Sequence, residues 1–86
     1  MTRIHFNSLD AFEAKDLMAW IDSINTPDGP EIEYTCSPID DLVCDLTIVS
    51  SYLKVEINKS SLVIKFDGMS DYYWIDWDRF NEVTFK

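Results

Sequence analysis

Hydrophobic residues recur at two different spacings along the chain, and the change of spacing separates a helical part from a β-rich part. Between residues 9 and 25 they follow a period of about 3.6, which places one apolar stripe on a helix. The stripe consists of Leu9, Leu17, Trp20, Ile21 and Ile24, with Ala14 and Met18 beside it. Phe12 falls on the opposite side of this helix, so we expect it in an interface or under a neighbouring loop.

The predicted helix has a capping residue at its N-terminus and helix-breaking residues after its C-terminus. Asp10 stands at an N-cap position, and Glu13 three residues later gives the spacing of a capping box, although the usual first residue of that box is Ser or Thr. After Asn25, the segment 26–30 contains two prolines and a glycine, which end a helix. We therefore predict one helix from Asp10 to Asn25.

From residue 31 onward the apolar spacing changes to two, the period of a half-buried strand. Strands are predicted over 31–36, 42–50, 54–57, 62–66 and 72–77, with a short first strand over 2–6 and a final turn over 78–81 before 83–85. Residues 58–61 are typical of a hairpin turn. The pattern predicts an α+β fold in a single domain, residues 1–86, with one N-terminal helix packed on an antiparallel sheet of four to five strands.

Composition adds an acidic charge to this compact domain. The 86 residues are 47% apolar and 14% aromatic, which excludes a disordered acidic tail, and the net charge is −9. Residues 31–50 carry five acids and no base, residues 67–86 carry five acids and two bases, and residues 51–66 are mildly basic. This field repels phosphates, so we expect no direct contact with nucleic acid or membrane and a basic protein as partner. An acidity that serves solubility alone is the alternative.

Residue patterns for catalysis, cofactors and metals are incomplete in this chain. His5 is the single histidine, and the two cysteines with one distant histidine do not make a four-ligand zinc set. Neither Gly29 nor Gly68 precedes a phosphate-binding helix. The segment 76–82 begins like a calcium loop but lacks its glycine and its final glutamate. We therefore expect a protein that is not an enzyme and binds no cofactor and no specific metal.

The cysteine content and the N-terminus favour a cytoplasmic protein. Cys36 and Cys44 are too few for a secreted disulfide framework, and the first residues show no apolar signal segment. The apolar runs are far too short to span a membrane. We expect both thiols to be reduced, while a bridge between them stays open because both fall on inward faces of neighbouring predicted strands.

Two parts of the sequence are candidates for binding the partner. If the strands over 31–36 and 42–50 pair, their outward acids share one face with no base among them, an arrangement that folding does not require. In the last aromatic strand two sets of residues alternate, so that one side is core and the other exposes large rings as anchors. The predicted partner-binding residues are Glu31, Glu33, Asp40, Asp41, Asp45, Asp71, Tyr72, Trp74, Asp76 and Asp78.

In size, charge and aromatic content the chain resembles two groups of small acidic inhibitors. These are the phage-encoded anti-CRISPR and anti-restriction proteins, and the immunity proteins that neutralise basic nuclease toxins. The resemblance implies an inhibitor that binds a basic, nucleic-acid-handling surface, and it assigns no residue roles. Spread evenly, the carboxylates are about threefold too dilute to imitate duplex DNA, so mimicry requires them to cluster. The alternative is a structural or assembly module that homodimerises through its aromatic residues.

Overall fold

The computed structural model describes residues 2–86 and confirms an α+β fold with an N-terminal helix and antiparallel strands. The elements in this range are β1 (Thr2–Asp10), α1 (Ala11–Ile24), β2 (Glu33–Pro38), β3 (Val43–Ser50), β4 (Leu53–Ile57), β5 (Ser61–Phe66), β6 (Tyr72–Asp76), a 3-10 turn (Trp77–Arg79) and β7 (Glu82–Phe85). Their strands form two sheets, ordered β2-β3-β1-β7 and β4-β5-β6. The predicted single sheet of four to five strands is therefore corrected to one sheet of four and one of three.

Two sheets arise because the chain changes direction between β3 and β4, which only two residues separate. The buried hydroxyl of Ser50 donates a hydrogen bond to the carbonyl of Glu31 (2.8 Å) and accepts one from the amide of Tyr52 (3.1 Å). These bonds stabilise the corner, and β4 then pairs with β5 instead of folding back on β3. The corner contains no glycine or proline, so the sequence pattern gave no sign of it.

Strand β1 is longer than predicted, because a bulge lets it continue to Asp10. The pairing of β1 with β3 shifts register between Phe6 and Leu9. Within the bulge Ser8 has a φ of 56°, the left-handed region that residues with a side chain rarely adopt. Its amide donates a hydrogen bond of 3.0 Å to the carboxylate of Asp45. β1 thereby becomes a central strand, paired with β3 on one side and β7 on the other.

The helix has the start and the end that its sequence predicts. The Asp10 carboxylate accepts hydrogen bonds from the amides of Phe12 and Glu13, at 2.9 and 3.1 Å. At the other end, the Asn25 amide bonds the carbonyl of Ile21, and the Asn25 side chain donates to the carbonyl of Ile32. The helix buries Ala14, Leu17 and Ile21 and leaves Phe12 77% exposed. The predicted cap is confirmed, and so is the apolar stripe from Ala14 to Ile24, whereas Leu9 lies in β1.

The helix packs against both sheets and so closes one core between them. The Trp20 ring lies 5.7 Å from the ring of Phe66 and 5.6 Å from that of Tyr73, measured between centroids. On its other side Asp22 accepts a hydrogen bond of 2.9 Å from the hydroxyl of Tyr34 in β2. The residues with no exposed surface come from β1, β3, β5, β6 and the helix, and they are Ile4, Phe6, Leu9, Leu17, Ile21, Leu46, Ile48, Leu62, Ile64 and Ile75.

Both cysteines are free in this structure and face the core from adjacent strands. Cys36 lies opposite Leu46, and Cys44 lies opposite Pro38, so the two thiols are diagonal neighbours. Burial is the first cause and a hydrogen bond with the Cys36 thiol the second in raising the pKa of Cys44 to about 11. A thiol with such a pKa is almost entirely protonated near neutral pH, and Cys44 behaves as a small apolar core residue.

Candidate protein-interaction surface

The aromatic strand β6 presents one set of side chains to the core and the other to solvent. Ile75 is fully buried, and Tyr73 packs on the ring of Trp20. On the opposite face Tyr72 and Trp74 are each 56% exposed. The sequence predicted this alternation, and the structure places Tyr73 and Ile75 inside and Tyr72 and Trp74 outside.

The hydroxyl of Tyr73 holds an acid of the helix at the edge of β6. The Tyr73 hydroxyl donates to a Glu13 carboxylate oxygen at 2.6 Å, although the two residues are 60 positions apart. Burial, and next the bond to Glu13, raise the pKa of Tyr73 well above its usual value, so this hydroxyl stays a donor. Glu13 therefore serves the tertiary structure, whereas the sequence suggested that it closes a capping box at Asp10.

Two adjoining grooves run past this contact and share one residue, Arg79. The first has a volume of about 320 Å³ and lies between β6 and the start of the helix. It is lined by Glu13, Tyr72, Tyr73, Trp74, Asp76 and Arg79. The second, also about 320 Å³, is lined by Ser8, Asp10, Val43, Asp78, Arg79, Phe80 and Asn81. Among the described residues that line the two grooves, four are acids and Arg79 is the single base.

Arg79 neutralises its neighbours only weakly. Its guanidinium lies 4.0 Å from the Asp10 carboxylate and 3.8 Å from that of Asp78, and its side chain is about half exposed. Exposed ion pairs of this length contribute at most about 1 kcal/mol. The 3-10 turn that carries Arg79 is held on the core through Phe80, whose ring contacts those of Phe6 and Trp77 at 5.1 and 5.6 Å between centroids. The grooves therefore keep a net negative charge on a fixed frame.

The turn between β2 and β3, together with the start of β3, adds three predicted acids to the same end of the molecule. Asp10 pairs with Val43, and the Asp40 carboxylate accepts the amide of Val43 at 3.0 Å and that of Leu42 at 2.7 Å. Asp41 is exposed in this turn, and Asp45 holds the bulge of β1 described above. We call the combined region the acidic surface, and its residues are Asp10, Glu13, Asp40, Asp41, Asp45, Tyr72, Trp74, Asp76 and Asp78.

Besides Glu13, two of its acids have folding roles that the sequence did not reveal. The carboxylate of Asp40 closes the β2–β3 turn, and that of Asp45 satisfies the strained bulge at Ser8. The expectation that folding does not require these acids is thus incorrect for Asp40 and Asp45. Their charge still lies at the surface, so a structural role and a binding role coexist at these positions.

Two of the remaining predicted acids, Glu31 and Glu33, lie apart from this cluster. Glu33 is at the start of β2, about 17 Å along the strand from Pro38. It lies opposite Val49, which in turn lies opposite Arg3, so one base shares the outer face with it. The expected face of five carboxylates without a base is therefore wrong. Glu31 precedes β2, and Asp71 is exposed directly before Tyr72.

Sequence reasoning missed four residues of this end of the molecule. Asp10 and Glu13 were assigned to the helix cap only, and Arg79 was only counted as one of the two bases of residues 67–86. Leu42 lies beside the start of the helix, because its carbonyl accepts a hydrogen bond of 2.9 Å from the amide of Ala11. Its side chain is 70% exposed. The position of Phe12 on the outer face of the helix was the one signal in the sequence that pointed here.

Comparison with known proteins leaves the function to be argued from the chain itself. No protein-family model matches the chain, and neither the curated proteins nor the solved structures include a significantly similar one. Among residues 2–86, no helix has the length and apolarity needed to cross a membrane. Within the same range, no three His, Cys, Asp or Glu side chains form a group that could hold a metal ion.

Proposed function

We propose that this protein is an acidic inhibitor that binds the basic, nucleic-acid-handling surface of another protein. The single observation that carries this proposal is the acidic surface, where seven carboxylates from four separate parts of the chain meet two exposed aromatic rings. A negative field of this kind accelerates encounter with a basic cleft, and it repels nucleic acid itself.

Exposed aromatic rings supply the part of the binding energy that charge does not. Interfaces owe most of their affinity to a few buried residues, among which Trp and Tyr are enriched, while exposed charges mainly set the rate of association. Tyr72 and Trp74 lie directly beside Asp76 on the outer face of β6. We therefore assign anchoring to the rings and steering to the surrounding carboxylates.

Clustering also bears on mimicry of nucleic acid. The described residues expose 5510 Å², and an even spread would give about one carboxylate per 340 Å², against about one phosphate per 107 Å² on duplex DNA. Seven of the sixteen carboxylates belong to the acidic surface. The proposal is accordingly competition for part of a basic cleft, with an aromatic anchor inside it, and not imitation of a long duplex.

Affinity capture with a matched pair of variants tests the proposal. The immobilised protein is exposed to lysate of the cells that produce it, at about 0.1 M and about 1 M salt, where the Debye length falls from about 10 to about 3 Å. We expect proteins that bind or cleave nucleic acid to be captured at low salt only, and their activity on nucleic acid to fall when the free protein is added.

Two double variants of equal net charge separate local from overall charge. Asp76→Asn with Asp78→Asn removes two carboxylates from the acidic surface, whereas Glu31→Gln with Glu33→Gln removes two from the distant end of β2. We expect the first pair to reduce capture at least tenfold and the second to have a much smaller effect. Equal effects, or no basic partner at low salt, would contradict the proposal.

The second candidate function is a structural module that homodimerises through aromatic residues. The exposure of Tyr72 and Trp74 on one face of β6 favours it, because large exposed rings are typical of subunit interfaces. Sedimentation at about 0.1 M and about 1 M salt distinguishes the two functions. A dimer that persists at high salt and dissociates on Trp74→Ala would support this second candidate.

A further inference from the structure

Strand β6 is an edge strand whose backbone groups are unpaired on one side. Its hydrogen-bonded neighbour is β5 alone. The amide of Trp77 bonds the carbonyl of Ser60, which fixes the alternation of the ladder. The bonded pairs are then Leu62 with Ile75 and Ile64 with Tyr73. The amide and carbonyl groups of Tyr72, Trp74 and Asp76 therefore point away from β5, toward the groove that these same residues line.

The other sheet edges carry the features by which proteins block unwanted strand pairing, and β6 does not. β2 ends in Pro38, and β7 has four residues. In β4, Lys54 and Glu56 project from the edge strand and form ion pairs with Asp67 and Lys65. Charges, prolines and short strands of this kind protect edges. β6 has a regular register with β5, no proline or lysine, and an acid only at its last position.

We propose that β6 accepts an extended, Lys- and Arg-rich segment of the partner as a fourth strand of the sheet β4-β5-β6. This inference rests on the proposed function and specifies how the partner is held. Side chains of an added strand would alternate between the outer face, beside Tyr72 and Trp74, and the inner side of the groove, beside Glu13. A basic side chain on the outer face meets an indole ring, and one on the inner side meets a carboxylate.

Charge favours a basic segment of the partner over a second copy of this chain as the strand that pairs with β6. If two β6 strands paired antiparallel around Trp74, Asp76 of each copy would lie opposite Tyr72 of the other. Neither β6 strand contains a basic side chain that could pair with Asp76. Two chains would also combine net charges of −9 each. A basic segment meets the same free backbone groups with the opposite charge, so the edge favours a partner strand over self-pairing.

A peptide titration tests strand addition directly. The probe is an acetylated eight-residue peptide of alternating Lys and Val, and its control is the same peptide with every backbone nitrogen methylated. Both carry the same charge, but the control cannot donate backbone hydrogen bonds. With the isotope-labelled protein at about 0.1 M salt, we expect the control to bind at least tenfold more weakly, as the loss of two or more hydrogen bonds implies. We also expect amide exchange at Trp74 to slow at least tenfold when the unmodified peptide binds.

Two variants at one position isolate the backbone contribution. Trp74→Ala removes the ring and keeps the amide, whereas Trp74→Pro removes the amide as well, at an edge position where proline is tolerated. We expect the proline variant to bind the peptide about tenfold more weakly than the alanine variant. Circular dichroism checks the fold of both, and the exchange measurement on the natural sequence stands even if the proline variant unfolds.

The outcomes separate failure of this inference from failure of the proposed function. Equal, salt-dependent binding of both peptides without protection of Trp74 would overturn strand addition and leave the proposed function standing. Absence of binding by either peptide, together with failed affinity capture, would overturn both. Protection of the Trp74 amide in the free protein, together with a doubled mass, would show a second copy at this edge and overturn the inference.

Discussion

The hydrogen bond between Tyr73 and Glu13 joins the helix to the aromatic strand, and its removal is the most direct test of the structure. Tyr73→Phe deletes one hydroxyl and keeps the ring that packs 5.6 Å from Trp20. The bond is 2.6 Å long and its acceptor is a carboxylate. Hydrogen bonds to charged groups contribute about 1.5–3 kcal/mol, and the part-exposed setting reduces this to about 1 kcal/mol.

That loss is measurable in a chain of this size. With a urea dependence of about 1 kcal/mol per molar, the midpoint of unfolding falls by about 1 M, and the melting temperature falls by about 5 °C. Tyr72→Phe is the matched control, since it removes the same atom from an exposed neighbouring residue, and we expect it to leave both values unchanged. Equal stability of the two variants would refute the role assigned to this bond.

The same residue predicts how stability changes in alkaline solution. The pKa of Tyr73 is raised in the folded state, so between pH 10 and that higher value the folded chain holds a proton that the unfolded chain has lost. The stability that this proton represents is fully present below pH 10 and falls as the pH rises through the folded pKa. Tyr73→Phe should show a shallower alkaline decline in urea midpoint than the natural sequence. A slope equal to that of the natural sequence would show that another group is responsible.

Two further predictions concern the bulge and the thiols. Asp45→Ala should lower the melting temperature by about 5–10 °C, because it leaves the amide of Ser8 without its carboxylate acceptor. The control Asp41→Ala should change the melting temperature by less than about 2 °C. Calorimetry of the two variants checks this, and equal effects would contradict it. Iodoacetamide should modify Cys36 before Cys44 in the folded protein, as followed by mass spectrometry. The slow modification of Cys44 should accelerate about tenfold per pH unit up to pH 11. Faster modification of Cys44 near neutral pH would show that its thiol is not held in the core.

Local features of this chain were predictable from the sequence because their causes lie within a few residues. Asp10 bonds amides two and three positions later, and the amide of Asn58 bonds the carbonyl of Ser61, so both the helix start and the hairpin turn are confirmed. The outward and inward rows of β6 also follow from alternation alone. Each of these features can be predicted from a short segment of the sequence, without the positions of the other elements.

The assembly of the sheets could not be predicted in the same way. β3 and β4 read as consecutive strands in one sheet, because the corner at Ser50 depends on a carbonyl 19 positions earlier. The bulge at Ser8 depends on Asp45, 37 positions later. Such bonds form only when a core has brought distant strands together, and no spacing in the sequence records them.

The sequence by itself therefore determined a helix, a set of strands with alternating apolar and polar residues, and a composition of sixteen acids against seven bases. Only the tertiary structure decided that the acids of the helix start, the β2–β3 turn and β6 meet at one end, while Glu31 and Glu33 lie apart. The physical reason is that periodicity fixes which side of an element is apolar, whereas burial of those sides against one another fixes which elements become neighbours. Charge follows the apolar packing, and the acidic surface is a consequence of where the core lies.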